Sequence, residues 1–559
     1  MSALRAHAAR LAPHLALGAF VAMAYWGVTA VGLVWDDPFV TVDNPHLATW
    51  AGVWKIATSD VWSGTSVEEV SKFYRPLPML SYALDRAVLG NTPLAYHLSS
   101  LAVHVASVCL LLSLTRRHDR SPGRVASLAA AALFGVAPLG VEAVTWIGCR
   151  FDLLGLALTL ASLRLVDVKG RGAVVLSGAL VGATLFCKET FVVAPLLVLA
   201  WEGWALARRP ALARYATTLA VFVAYLLLRR AAGVGAASTV AHLSVSDVVR
   251  SYAFLLKTFS RALVWPTVLD PSRPYAPRGL GAATAIVATA WCGWLALAWT
   301  AHRRGWAGAG RAFVLGLGWF LVSLGPPSAA GPTLRMVGDR YAYFPMAGVF
   351  LALGVAMSTP RARLALLIAP AALIASVVRL RGRVPELADD ATLFAAAARD
   401  DASNPFAWYM LGHLAAQAGR LDEADRHLAR ADALEPASWR TDNARCYVRL
   451  NQGRLDEALA LCQRSAATRA ANPRVWTNLA AVHLRAGRHD ACVAAADRGI
   501  DVKPHNVEAR YLRAVCLANL ARYEEASDEL ARCLAIAPAH RGANDLARQF
   551  RAQGVRVPE

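Results

Sequence analysis

The sequence predicts an all-α protein in two parts. Residues 1–383 read as a polytopic membrane helix bundle of about eleven spans. Residues 384–402 read as a linker and first helix, residues 403–540 as an α-solenoid of four repeats, and residues 541–559 as its capping tail. Three observations predict this: apolar segments of spanning length recur through the first part, basic residues collect in the short loops between them, and a 34-residue period governs the second.

The membrane part rests on composition and on charge placement. Hydrophobic residues make up 56 % of the chain and charged residues 17 %, a balance foreign to ordinary soluble domains. The net charge of +19 belongs wholly to the apolar part: from Pro385 onward there are 23 Lys+Arg and 23 Asp+Glu, leaving 35 basic against 16 acidic residues before it. That excess sits in short loops, as the positive-inside rule requires. No basic groove interleaved with aromatics points to nucleic acid.

Apolar segments lie near residues 14–34, 94–114, 125–146, 151–167, 172–188, 190–206, 212–229, 280–300, 312–325, 341–358 and 362–379. Arg5 and Arg10 precede the first of these, but no small-residue cleavage site follows, so it reads as a retained span. The compact basic loops at 115–124, 167–172, 207–214, 301–311 and 359–363 then fall on one side with the N-terminus, the cytoplasmic one. The loop from Asp36 to about Pro93, the segment 230–278, the loop after Pro326 and the C-terminal part face the other side. Segment 244–266 reads as a helix lying at the membrane interface, because a twelfth crossing would invert the later basic loops.

In the second part LAAQAGRLDEA, RLNQGRLDEA, HLRAGRHDACVAA and ANLARYEEA place Gly419, Gly453, Gly487 and Ala521 34 residues apart. Aromatics early in the first helix of a unit (Trp408, Trp476, Tyr511) and prolines between units (Pro405, Pro436, Pro473, Pro504, Pro538) complete the tetratricopeptide pattern. Four units suffice to bury a continuous core. The nine cysteines show no CxxC pair or metal-ligand spacing; Cys109, Cys149, Cys187 and Cys292 fall in apolar segments, the other five on the repeats, and all read as structural thiols.

The first span ends in VWDDPFVTVDNP, with two adjacent carboxylates, Asp36 and Asp37. Negative charge is poorly placed at a helix C-terminus, so the pair calls for cationic partners. The same face offers Lys72 and Arg75 in SKFYRPLPML, Arg150 in WIGCRFD, Lys188 in FCKET, and Arg335 and Arg340 in TLRMVGDRYAYFP. Each alone has a bland reading as a snorkelling side chain, and Arg150–Asp152, Lys188–Glu189 and Asp339–Arg340 as local ion pairs. Convergence of several cations on the face of an acidic pair suits an anionic lipid headgroup. If that lipid is a polyprenyl-phosphate sugar, its phosphate leaves without protonation, and one carboxylate suffices as base toward an attacking hydroxyl. A glycosidase would need a second carboxylate across the bond.

VWDDPFVTVDNP, FYRPLPMLSYALD, LAYHLSSLAVH, ALFGVAPLGVEAVTWIGCRFDLLG, FCKETFVVAPLL and DRYAYFPMAGVFLALG, followed by the repeats, resemble in order the transmembrane and tetratricopeptide-repeat-containing O-mannosyltransferase family, one of the C-type membrane glycosyltransferases. The resemblance implies a C-type bundle with a catalytic acidic motif at Asp36 and Asp37, a lipid-phosphate-linked sugar donor, mannose in the animal members, and transfer to Ser or Thr of a protein. It assigns donor phosphate to Arg75, Arg150, Lys188 and Arg340, with Glu142, Asp152, Glu189, Tyr341 and His97 in support. Where related sequences carry histidines before the VEA-like Glu, this chain has Ala137, Pro138 and Gly140; their Gly-Arg-x-Asp is Cys149, Arg150, Phe151, Asp152 here. His97 and His104 lie on one helix face and read equally as packing residues.

The expected partners are therefore a polyprenyl-phosphate-linked sugar, a protein acceptor and membrane lipid. No dedicated metal cage is visible; a divalent cation holding the donor phosphate stays open. Two rivals remain: transfer to a lipid or polysaccharide, and a non-enzymatic membrane-anchored repeat scaffold, against which stands the gathering of charges such as Glu142, Asp152 and Glu189 in the apolar part. The Ala- and Arg-rich composition leans toward a bacterial inner membrane with site and repeats extracytoplasmic; a eukaryotic chain would place them at the endoplasmic reticulum.

Overall fold

Helix signals in the sequence settle most of the architecture. Proline at the first helical position opens Pro76–Val88, Pro93–Arg116, Pro405–Gln417 and Pro473–Arg485, and side chains of Thr92, Asn404 and Asn472 accept the exposed N–H groups at three of these starts. The computed structural model describes residues 2–63, 65, 73–119, 121–234, 243–264, 266, 268–277, 279–359 and 364–557. It is all-α apart from a two-residue antiparallel ribbon pairing Arg273 with Val337 and Pro274 with Met336. The chain divides into one unit running to Asp401 and a second from Ala402 to Glu559.

Among the described residues of the first unit, six helices are long and apolar enough to cross a membrane: Pro93–Arg116, Leu212–Ala231, Leu280–Arg303, Ala309–Leu334, Asp339–Met357 and Ala365–Leu387. A seventh forms if Val125–Gly135 and Pro138–Thr145, bent by 46°, are taken as one. Length and composition thus mark fewer crossing helices among the described residues than the eleven expected. The run at 14–34 holds the end of the helix Ser2–Ala24 and a 3-10 turn over Trp26–Ala30, and that at 172–188 the shorter helix Arg171–Phe186. That at 151–167 is the 16-residue helix Arg150–Leu165, and that at 190–206 is Ala194–Ala200 followed by a π turn over Trp201–Ala205. Turns and buried charges interrupt these runs, which a hydropathy window averages away.

Small residues let helices approach. A Cβ on Gly316 would lie 2.5 Å from the Gly348 carbonyl oxygen, and one on Gly348 2.5 Å from that of Gly316, so these two glycines set the contact between Ala309–Ser323 and Tyr343–Met357. Segment 244–266 forms the helix Val245–Val264, outside the six; it buries Tyr252, Leu255, Leu256 and Phe259, and Tyr252 donates to the Leu321 carbonyl at 2.6 Å.

The second unit is a right succession of helix pairs: Pro405–Gln417 with Leu421–Leu434, Trp439–Asn451 with Leu455–Thr468, Pro473–Arg485 with His489–Val502, and Val507–Asn519 with Tyr523–Ile536, followed by Arg541–Ala552. Gly419, Gly453 and Gly487 take φ of 75°, 78° and 69° at the turns, and Ala521 holds the same left-handed conformation at 60°. One reading fails here. Four of the five repeat cysteines are not thiols but two disulfides, Cys446–Cys462 and Cys492–Cys516; only Cys533 is free. The period itself carried the signal, as shown below.

Candidate functional site

The acidic pair does not cap the first helix. That helix ends at Ala24, a 3-10 turn spans Trp26–Ala30, and Trp35 turns the chain in the left-handed region, so Asp36 and Asp37 start a new short helix, Asp37–Val40. The dipole objection raised from the sequence therefore falls away. Asp37 is fully buried: Oδ1 accepts the backbone N–H of Gly148 at 2.6 Å and Oδ2 that of Val34 at 3.1 Å. Asp36 is half-buried, and its Oδ1 accepts from Trp146 Nε1 at 3.0 Å. Burial pushes Asp36 up to about 6, with the charge of Arg340 pulling the other way. Burial, and then the charge of Asp36, hold Asp37 well above the usual carboxylate range. Gly148 is needed beside them: a Cβ there would sit 2.8 Å from Asp36 Oδ1.

Trp146 joins the acids to the cations. Trp35 stacks on it at 5.1 Å between ring centroids, and the Arg340 guanidinium lies 4.6 Å over its ring. Glu142 fixes Arg340 twice, accepting the backbone N–H at 3.0 Å and Nη1 at 2.5 Å. Tyr341 lies between two cations, with Arg340 5.0 Å and Lys188 4.9 Å from its ring centre. Lys188 is held by both oxygens of Asp152, at 2.8 and 2.7 Å. Asp36, Arg340, Tyr341 and Lys188 thus form one connected row on the first unit.

Arg75 forms the next group. Its Nε and Nη2 donate to Glu189 Oε2 at 3.1 and 3.0 Å, it lies 4.2 Å over Phe73 and 5.1 Å over Phe151, and Arg229 donates to the other Glu189 oxygen at 3.3 Å. A small open pocket lies beside Arg75, lined also by Asn44, His46, Asp60 and Ser63.

Arg150, expected at the donor phosphate, stands apart from this row. Only 1 % of it is exposed; it pairs with Asp85, donates Nη2 to the Tyr96 carbonyl at 2.6 Å and Nε to Ser100 Oγ at 3.0 Å, and lies 4.4 Å over Tyr82. Its guanidinium is consumed by the protein. None of the three local ion pairs read from the sequence forms as written: Arg150 goes to Asp85, Lys188 to Asp152 and Arg340 to Glu142, while Asp339 binds Arg273 at 2.9 Å. His97 is buried and donates Nε2 to the Gly32 carbonyl at 3.0 Å, holding the segment that leads into the acids. His104 lies against Tyr343 Oη at 2.8 Å. Arg335 ends Ala330–Leu334 in the left-handed region, its carbonyl accepting Tyr275 N–H at 3.0 Å, and Lys72 lies outside the described residues.

Sequence reasoning missed Trp146, Asp85, Arg229 and the 270–273 segment. The last positions Arg340: Asp339 accepts from Arg273 and, at 2.7 Å, from the Asp270 N–H, and the Pro271 carbonyl accepts from Arg340 Nη1 at 3.0 Å. Trp146 was findable, standing inside a quoted motif four residues from Arg150; the others carry no local signal. Among the described residues no group of three or more His, Cys, Asp or Glu is placed to hold a metal.

A family model described as "Anaphase-promoting complex, cyclosome, subunit 3" matches residues 444–533, and one described as "Tetratricopeptide repeat" matches residues 407–438. The chain is 31 % identical over 179 residues to Protein O-mannosyl-transferase TMTC3 of Mus musculus, covering 30 % of this chain and 19 % of that one. It is 32 % identical over 178 residues to Protein O-mannosyl-transferase Tmtc1 of Drosophila melanogaster, covering 31 % and 20 %. Over 129 residues it is 34 % identical to Protein O-mannosyl-transferase TMTC1 of Homo sapiens, covering 23 % and 14 %. It spans about a fifth of the length of the first two relatives. Among solved structures, YrrB, titled a TPR protein with an unusual peptide-binding site, is 17 % identical, with 30 % of this chain and 86 % of that chain covered and a TM-score of 0.26.

Proposed function

We propose that this chain, a relative of the proteins named O-mannosyl-transferases, is a membrane glycosyltransferase that moves a hexose, mannose by kinship, from a polyprenyl-phosphate donor to Ser or Thr hydroxyls of an exported protein. The single observation behind the reading is the row in which half-buried Asp36, backed by Asp37, is joined through Trp146 to Arg340 and on through Tyr341 to Lys188. Asp36 is the base, being the member of the pair that is not fully buried. It takes the proton from the acceptor hydroxyl as the oxygen attacks the sugar C1 from the face opposite the phosphate; the C1–O bond to phosphate breaks and configuration inverts. The electron pair leaves on the phosphate, whose charge is held by Arg340, Lys188 and Arg75. Each of these cations rests on a carboxylate, which aims it and leaves further N–H donors for the lipid phosphate.

The repeats then engage the acceptor or a partner enzyme, and the acid pair and repeats lie on the extracytoplasmic side of an inner membrane. The test is Asp36→Asn, alone and with Asp37→Asn, in cells whose exported proteins are analysed by mass spectrometry. Transfer falls by about 10²–10⁴, the usual weight of a general base, with the protein still folded in the membrane. An unchanged glycan profile with lost partner binding on deleting residues 403–540 would instead make the chain a scaffold, and a missing lipid-linked or polysaccharide sugar would move the acceptor.

A further inference from the structure

We infer that the repeat unit is matured by oxidation, as the substrate of a dithiol oxidase in the compartment it faces, which closes one bond within its second repeat and one between its third and fourth. Superposing the repeats by their 34-residue period shows where the two bonds sit. In the first repeat, Gly412 and Leu428 pack the two helices together so closely that a Cβ on Gly412 would meet Leu428 Cγ at 2.6 Å. The equivalents are Cys446 and Cys462 in the second repeat, Ala480 and Ala496 in the third, Ala514 and Leu530 in the fourth. The second repeat has replaced the helix-pair packing contact by a bond. The other bond runs between repeats, from Cys492 in His489–Val502 to Cys516 in Val507–Asn519.

Both Cα separations, 5.4 and 6.3 Å, suit a disulfide without backbone movement, and all four residues are fully buried. Burial makes timing matter: oxidation must occur before or during helix packing. Two structural bonds in one array of 34-residue repeats are rare where thiol reductants dominate, so the unit folds in an oxidising compartment. In each pair one thiolate attacks the oxidase disulfide, forming a mixed disulfide and releasing one oxidase thiolate. The second cysteine thiolate then displaces the other. Two protons and two electrons pass from the repeat to the oxidase, which ends as a dithiol. Cys533, free and buried in the same unit, is the internal control. None of this depends on the acid pair or on sugar transfer.

The experiment uses the full chain in its own membranes, with cells quenched in acid and denatured in excess N-ethylmaleimide, then reduced and treated with iodoacetamide before peptide mapping. Cys446, Cys462, Cys492 and Cys516 are expected to carry the second label and Cys533 the first; N-ethylmaleimide on all four would overturn the proposal. In cells lacking the compartment's dithiol oxidase the four switch to the first label, and persistence of the second there would overturn the oxidase step. Cys446→Ala with Cys462→Ala, which copies the pair found in the third repeat, leaves the 492–516 bond formed; its loss in that variant would overturn independent oxidation of the two pairs. A failure of Asp36→Asn to affect transfer leaves every one of these labels unchanged.

Discussion

The two units use charge in opposite ways. Around the acid pair, ion pairs join residues far apart in the chain: Arg340 to Glu142 across 198 positions, Arg75 to Glu189 across 114, Arg150 to Asp85 across 65. In the repeat unit the described pairs run from three residues apart, as in Arg420–Glu423, to 32, as in Glu508–His540. The first kind is buried and assembles a site. The second reaches no further than the adjoining helices and mostly decorates a solvated face. Long-range pairs form only when the whole bundle has folded, so they report tertiary structure; short-range pairs report helix register.

The sharpest way to break this contrast is to remove one partner of a deeply buried long-range pair. Arg150→Ala leaves Asp85 without its cation in a site where neither side chain is more than 9 % exposed. The expected cost is about 3–5 kcal/mol, read as a large drop in apparent Tm of the full chain in detergent. Replacing both, with Arg150→Met and Asp85→Leu, recovers most of it, because two desolvated charges are exchanged for apolar volume. An unaltered Tm in the single variant would mean that Arg150 is accessible, and would count it among the proposed phosphate-binding cations.

A smaller effect separates the site from its scaffold. Asp36, pushed up to about 6 by burial, must be ionised to act as base. Its raised value extends the protonated range upward, so transfer is full above about pH 7 and declines about tenfold, or about 1.4 kcal/mol, for each further unit of acidification below about 6. Trp146→Phe removes a hydrogen bond that favours the carboxylate, so it moves the inflection to higher pH. A profile that keeps its inflection in Trp146→Phe would place the base elsewhere, with Asp37 first in line.

What was legible in the sequence follows the same division. The 34-residue period, the turn residues Gly419, Gly453 and Gly487 and the helix-pair order were readable because every relevant contact is local or repeats at a fixed offset. Even the Cys446–Cys462 bond was latent in that offset, since Gly412 and Leu428 mark the same contact one repeat earlier. In the membrane unit the types of residue were readable, acids and cations in a few short motifs, but their partners were not. Lys188 stands next to Glu189 in the chain and binds Asp152, because Glu189 is drawn to Arg75 and Arg229. Adjacent side chains on a turn diverge, whereas side chains from separate helices converge. The same reason explains why several apolar runs hold shorter helices than hydropathy suggests: hydropathy sees apolar composition, and the breaks at Lys188 and at the turn before Arg150 fall where buried charges meet.

The smallest effect tests the other side of the contrast. Arg420 lies one turn from Glu423 at 2.7 Å, with their side chains 59 % and 38 % exposed. Water screens both charges, and fixing two long side chains costs entropy, so the pair contributes no more than about 0.5 kcal/mol. Arg420→Ala should leave the apparent Tm within measurement error in moderate salt. A loss comparable to that of Arg150→Ala would mean that this face of the first repeat is not solvated in the intact protein, and that the first repeat is covered by something whose charge Arg420 meets. The pair would then belong with the buried, long-range kind, and the division drawn between the two units would have to move into the solenoid.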